Sequence, residues 1–323
     1  MMTFSPSTDA LEPAAREVAL AGNYPPSPFD LDALDRRRKV LDELQRFGAR
    51  PRADVVDLVV PGGPNGRVPV RIVTPTASAA LLPVVLYVHG AGWVFGGKVT
   101  HDRLIRELAV GSGAAVVFVD YRRSPEVRYP SQLEECWTVA RWIVEYGEAH
   151  GLDGSRLGVA GDGVGGNMSA ALTLLATERD VVELTAQVLF HPVTDSSFDT
   201  ESYHEFAEGY GLRRDSMQWF WDHYTTYEAE RDEITASPLR ASVGQLADLP
   251  TALVITAEAD VVRDEGEAYA RKLRSAGVEV LAIRYEGVVH DFVWLNALRR
   301  TRAAGSAIAQ ASSFLRATLG ATV

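Results

Sequence analysis

One cysteine in 323 residues, Cys136, excludes an internal disulfide and leaves no zinc-type spacing, the usage of a chain kept in a reducing compartment. No apolar run reaches the length of a bilayer span. The opening MMTFSPSTDALEP lacks a basic segment followed by an apolar one, so no export signal is read and the expected location is the cytoplasm, away from membranes. Positive charge is short as well: 32 Lys and Arg face 43 Asp and Glu, a net charge of −11. The densest basic run, LDRRRKVL, alternates with apolar residues at helical spacing and reads as a solvated helix face, so a nucleic-acid partner is not expected. His101, His150, His191, His204 and His223 have no ligand spacing with one another, and no metal site is predicted.

What the chain does have is apolar substance, 46% of its residues, enough for one large core or two smaller ones. DVVDLVV and RVPVRIVT, separated by the turn-rich PGGPNG, predict an antiparallel hairpin. From PVVLYVHG onward, short apolar runs (AAVVFVDY, RLGVAG, LTAQVLFHPV, TALVITAE, VEVLAIRY) alternate with helical patterns near 98–112, 131–149, 164–178, 264–276 and 301–318. That rhythm predicts an α/β fold, a mostly parallel central sheet flanked by helices. Two parts break it. Residues 1–50 look helical, and residues 195–236 are crowded with aromatics from Phe198 to Tyr227. Together they are expected to form a helical cap, its N-terminal part at 1–50 and its insertion at 195–236, over a core made of 51–194 and 237–323.

The stretch RLGVAGDGVGGNMSAAL, residues 156–172, admits two readings. Gly161, Gly163 and Gly166 satisfy the dinucleotide fingerprint G-x-G-x-x-G. That motif should end the first strand of its unit and be followed by an acidic residue at the end of the next strand. Here several strands come first, the next run ends in His191-Pro192, and Glu183 precedes that run. The second reading is a strand–turn–helix elbow of the G-x-S-x-G kind, with Gly163 where the nucleophilic serine belongs. Around it lie the other parts of an acyl-transfer site. YVHGAGWVFGG places the small residues Gly90 and Ala91, whose N–H groups could hold an oxyanion, after a strand. ADVVRDE puts Asp260 at the tip of a late strand, and VVHDF puts His290 after the last. The order elbow, Asp, His is that of an α/β-hydrolase.

Taken together, HGAGW, VDYRRSPEVRYP, GDGVGGN, ADVVRDE and VHDF resemble the motifs of the bacterial hormone-sensitive-lipase-like esterases, family IV, from about residue 50 to the end. The resemblance implies an α/β-hydrolase core with a cap, and cofactor-free hydrolysis of short- to medium-chain carboxylic esters through an acyl-enzyme. It implies Asp260 as the acid that orients His290, His290 as general base, and an oxyanion hole from Gly90, Ala91 and Val164. A small-molecule ester is then the partner, and a homodimer is possible for such folds. Aromatic esters also suit an aromatic-rich cap, with Trp93, Tyr210 and Trp219 expected to wall the pocket.

The departure is at the nucleophile: the family has G-D-S-x-G-G, and this chain has Gly161-Asp162-Gly163-Val164-Gly165-Gly166. Either a serine has been removed from an esterase, or the chain is a natural small-molecule binding protein on the same scaffold. Asp162 neighbours the attacking position and does not attack, and Ser169, nearly two helical turns on, is read as packing. His89 is expected to brace the oxyanion loop, Asp264 and Glu265 to cap a helix, and Glu126 and Arg128 to tie down loops.

Overall fold

The structure, a computed structural model, describes residues 10–21, 31–76 and 81–321. The expected cap helices within 1–9 and 22–30 lie outside the described residues. Among the described residues, eight strands form one sheet: β1 (Ala53–Pro61), β2 (Arg67–Pro75), β3 (Leu82–Val88), β4 (Ala115–Val119), β5 (Leu152–Asp162), β6 (Ala186–Phe190), β7 (Thr251–Ala259) and β8 (Val280–Val289). Their order is β1-β2-β4-β3-β5-β6-β7-β8. The predicted hairpin is the antiparallel pair β1 and β2, and β2 also meets β4 antiparallel. Every other pairing is parallel. Helices cover both faces, so β3, β4 and β6 are apolar almost throughout, where the edge strand β1 alternates.

Two strands run longer than their apolar patterns. β5 starts at Leu152, because Leu82 and Pro83 pair with Leu152 and Asp153 before the register jumps to Val84 opposite Leu157. The bulge absorbs the polar Gly-Ser-Arg segment that hid the strand in the sequence. β8 continues past Tyr285 to Val289, so that His290 follows the strand directly.

The flanking helices are α1 (Pro13–Ala21), α2 (Leu34–Arg46), α3 (Asp102–Ser112), α4 (Ser131–Tyr146), α5 (Val164–Arg179), α6 (Glu201–Glu205), α7 (Arg214–Tyr224), α8 (Arg263–Ser275) and α9 (Arg302–Leu319). Cys136 is fully buried in α4. The segment between β6 and β7 carries α6 and α7 and no strand, as its aromatic crowding suggested.

Arg38 fastens α2 to the core. Its side chain, 7% exposed, donates to the carbonyls of Val94 (2.9 Å) and Ser124 (2.8 Å) and makes a two-pronged pair with Glu126. Glu126 thus does tie down a loop. Arg128 does the same, donating to the carbonyls of Asp222 and Thr225 at the end of α7. Because Glu126 is half exposed, most of the energy at Arg38 lies in the two buried carbonyls. Arg38→Ala should cost about 2–3 kcal/mol by orphaning them, read as a lower urea midpoint with an unchanged slope.

Candidate active site

Four parallel strands end beside one another, and each is followed at once by a residue of the site. Gly163 follows β5, His191 follows β6, Asp260 follows β7 and His290 follows β8. This is the carboxyl edge of the sheet, where open α/β folds place their chemistry. Gly163 makes a sharp bend, with φ +52° and ψ −116°, fixed by its N–H on the Phe190 carbonyl (2.9 Å) and its carbonyl on the Val193 and Asn167 N–H groups (3.1 Å each). Glycine adopts that conformation without strain; an L side chain there is held at a cost. A Cβ built on Gly163 would lie 3.2 Å from His290 Nε2 and 3.9 Å from His191 Nδ1. Gly165 answers a different need: α5 runs so close to β3 that a side chain would enter the Val88 carbonyl.

His290 is 8% exposed, and its Nδ1 lies 2.7 Å from Asp260 Oδ2. The other oxygen of Asp260 accepts from the Val262 N–H, which fixes the carboxylate. Asp264 and Glu265 are turned elsewhere: they accept from the backbone of Ser202 and of Thr194, anchoring the ends of the insertion. Burial alone would depress the basicity of His290, but the Asp260 and Asp291 carboxylates outweigh it and hold the imidazole at about 9. Two consequences follow for pH. In a serine form of the chain, the rate should climb with pH as His290 deprotonates, with its inflection near about 9 instead of the ordinary 6.5. In the folded glycine chain, protonated His290 contributes its stability in full below 6.5 and loses it as pH rises through about 9. A kcat/KM profile and a histidine NMR titration check the two; an inflection near 6.5 contradicts both.

Asp162 is wholly buried beneath the bend. It accepts from Tyr87 (2.6 Å) and from the Gly90 N–H (3.2 Å), and its other oxygen lies 3.3 Å from His101 Nε2. Burial pushes its carboxyl up, yet His101 and Tyr87 prevail and hold it at about 2. The expected oxyanion donors need correction here. The Gly90 N–H is already engaged by Asp162, so it is not available to an oxyanion. Ala91, Gly92 and Val164 line the cleft, and their N–H groups have no acceptor among the described residues. Val164 opens α5, adding the positive end of that helix. His89 braces the loop as expected, with Nδ1 3.0 Å from the Gly90 carbonyl and its ring stacked on Tyr121. Ser169 is buried inside α5, and its hydroxyl is packed towards Gly161.

The cleft above Gly163 is lined by Leu212, Met217 and Phe220 from the insertion and by Val164 and Val193 from the core. The three expected aromatics are elsewhere. Trp93 is fully buried and stacked on Tyr224 at 3.9 Å, joining α7 to the loop after β3. Tyr210 meets Phe206 edge-on, and Trp219 lies against His223 and Phe220. Helical phase explains the exchange: Met217 and Phe220, three apart, share the face of α7 that looks down on the site, and Trp219 falls off it. A much larger cavity, about 790 Å³, opens at the amino ends of the strands among Leu152, Asp153 and Thr173, and it holds none of these groups.

The structure adds His191 to the site, a residue the sequence pattern does not single out. Its ring stands edge-on to His290 with centroids 4.3 Å apart, and it forms, with His290 and Asp291, a cluster of potential metal-ligand geometry. The absence of sequence spacing between histidines says nothing of strands that end near one another: β6 and β8, separated only by β7, bring His191 to His290.

A bend that presents residue 163 to an imidazole held by a carboxylate is the arrangement of an α/β-hydrolase, and residues 85–294 match the family model of the alpha/beta hydrolase fold. The chain belongs to that family. Its place there is in the hormone-sensitive-lipase-like esterase branch, and by family it is a carboxylic ester hydrolase. It is 38% identical to an ethyl acetate hydrolase of Pseudomonas putida over 71% of its own length and 73% of the relative's. It is also 38% identical to the carboxylesterase NlhH of Mycobacterium tuberculosis, over 70% and 71%. A thermostable esterase from Pseudomonas putida, solved by crystallography, superposes with a TM-score of 0.91 at 43% identity, covering 96% of this chain and 98% of that one. The elbow reading of 156–172 therefore replaces the dinucleotide reading. None of the described helices of this hydrolase is long and apolar enough to cross a membrane.

Proposed function

We propose that the chain is a cap-bearing serine carboxylesterase scaffold whose nucleophile position, 163, carries glycine. The carrying observation is the 3.2 Å between the Gly163 Cβ position and His290 Nε2, with Asp260 on the far nitrogen at 2.7 Å. With serine at 163, His290 takes the hydroxyl proton as Oγ attacks the ester carbon, and the developing oxyanion meets the N–H groups of Ala91, Gly92 and Val164. His290 returns the proton to the leaving alcohol, then activates the water that releases the acid. The cleft over the bend is narrow, with His290 and Asp291 on one side and Leu212, Met217 and Phe220 above it, which suits short acyl chains. With glycine this covalent route is closed, and binding and oxyanion stabilisation remain.

The intact Asp260–His290 bond and the unoccupied oxyanion donors favour the loss of a single serine from an esterase over a scaffold given to binding alone. The test is a crystal structure of the chain soaked with a slowly hydrolysed acetate or butyrate ester. The acyl carbon should lie over Gly163 with its oxygen toward Ala91 and Gly92; an ester bound only in the cavity at the amino ends of the strands overturns the reading.

A further inference from the structure

His191 poses a question that the serine mechanism leaves unanswered. Its side chain is buried, at 1% exposure, and neither ring nitrogen has a hydrogen-bond partner. A buried polar group without a protein partner is normally satisfied by an ordered water or by a ligand. The residue is also held at φ +35°, unusual for a side-chain-bearing residue, by its N–H on the Ile255 carbonyl (2.5 Å). Strained backbone of this kind gathers at functional sites. Both its Nδ1 and His290 Nε2 border the position that a Cβ on Gly163 would take, at 3.9 and 3.2 Å, and no other residue is among the three nearest atoms there.

We propose that this chain hydrolyses esters directly, without an acyl-enzyme, using a water molecule held beside Gly163 by His290 Nε2 and His191 Nδ1. The inference rests on the esterase reading above. The donor count permits it. Once His290 is neutral, as pH rises through about 9, it gives its Nδ1 proton to Asp260, which leaves a lone pair on Nε2. His191 is kept neutral by burial and by the adjacent His290 (held down at about 3), so it carries one proton and one lone pair. With that lone pair on Nδ1, the water donates one hydrogen to each ring and aims its own lone pair at the ester carbon.

In the step itself, the water oxygen bonds to the carbonyl carbon as His290 Nε2 takes its proton. The carbonyl pair moves to the oxygen held by Ala91, Gly92 and Val164. Collapse breaks the bond to the alkoxy oxygen, which leaves with the proton from His290, and acid plus alcohol are released. His290 is the base, and His191 orients the nucleophile.

The test is steady-state hydrolysis of p-nitrophenyl acetate by the purified chain, with intact mass recorded during turnover. His290→Ala should lower the rate by about 100-fold or more, the range of general-base catalysis. His191→Asn keeps an acceptor near Nδ1 and should stay within a few-fold, whereas His191→Phe, which keeps the ring packing and loses the acceptor, should fall about tenfold, the scale of one hydrogen bond. A purely structural His191 predicts the opposite order, Phe above Asn. That order overturns the proposal, as does acetylated protein during turnover, or a rate indifferent to His290→Ala. Gly163→Ser separates the two levels of inference: if it is an active esterase while the glycine chain ignores His290, only the direct route fails; if it is inert, the esterase reading fails with it.

Discussion

Gly163→Ser raises hydrolysis of p-nitrophenyl acetate by at least about 10⁴-fold and by as much as about 10⁶, the cost of deleting a triad serine run in reverse. The scale follows from what is already assembled. The base, its orienting carboxylate and three unengaged N–H donors surround the bend, so a hydroxymethyl group there completes a set instead of starting one. Stability should move the other way. At φ +52° a serine is held in a conformation L residues avoid, and its Cβ, 3.2 Å from His290 Nε2, asks the imidazole to give by a few tenths of an ångström. A loss of about 1–3 kcal/mol is expected, read as a lower denaturation midpoint. Gain of activity with loss of stability is the joint signature of a nucleophile restored to a strained elbow. Gain of stability without activity would mark the bend as an ordinary turn.

In the serine background, Asp260→Asn should lower kcat by about 10⁴-fold while leaving the fold intact. Asp260 sets which nitrogen of His290 carries the proton, because Nδ1 must donate to it for Nε2 to accept. An amide can present its own N–H to Nδ1, which selects the wrong tautomer. Asp264→Asn is the control. Its carboxylate caps the Ser202 N–H and pairs with Arg263, away from the imidazole, so activity should change by no more than a few-fold. Equal losses at 260 and 264 would mean that the carboxylates act through the fold and not through His290.

These residues were legible in the sequence because each closes an apolar run. β7 and β8 announce themselves as strands, and the parallel sheet places whatever follows them at one edge. The hairpin PGGPNG, the aromatic insertion and the position of Cys136 were readable for the same reason, local chemistry matching local structure. What could not be read depends on partners remote in sequence. Gly90 looked like an oxyanion donor until its N–H met Asp162, 72 residues away. Trp93 was expected to wall the pocket beside the hole, but Tyr224 of α7 covers it. The walls of the cleft follow from the rotational phase of α7 over the sheet, which the pattern RDSMQWFWDHY leaves open because apolar residues occur on more than one face. His191 sat in a run read simply as strand, and only the sheet order β6-β7-β8 brings it to His290.

The most direct test of the central claim, that residue 163 is the attacking position facing His290, is a covalent mass measurement. Gly163→Ser treated with a dialkyl p-nitrophenyl phosphate should gain a single dialkylphosphoryl group, mapped by peptide sequencing to residue 163, and the chain with Gly163 should gain none. An adduct on Ser169 or elsewhere, or equal labelling of the two chains, would contradict it.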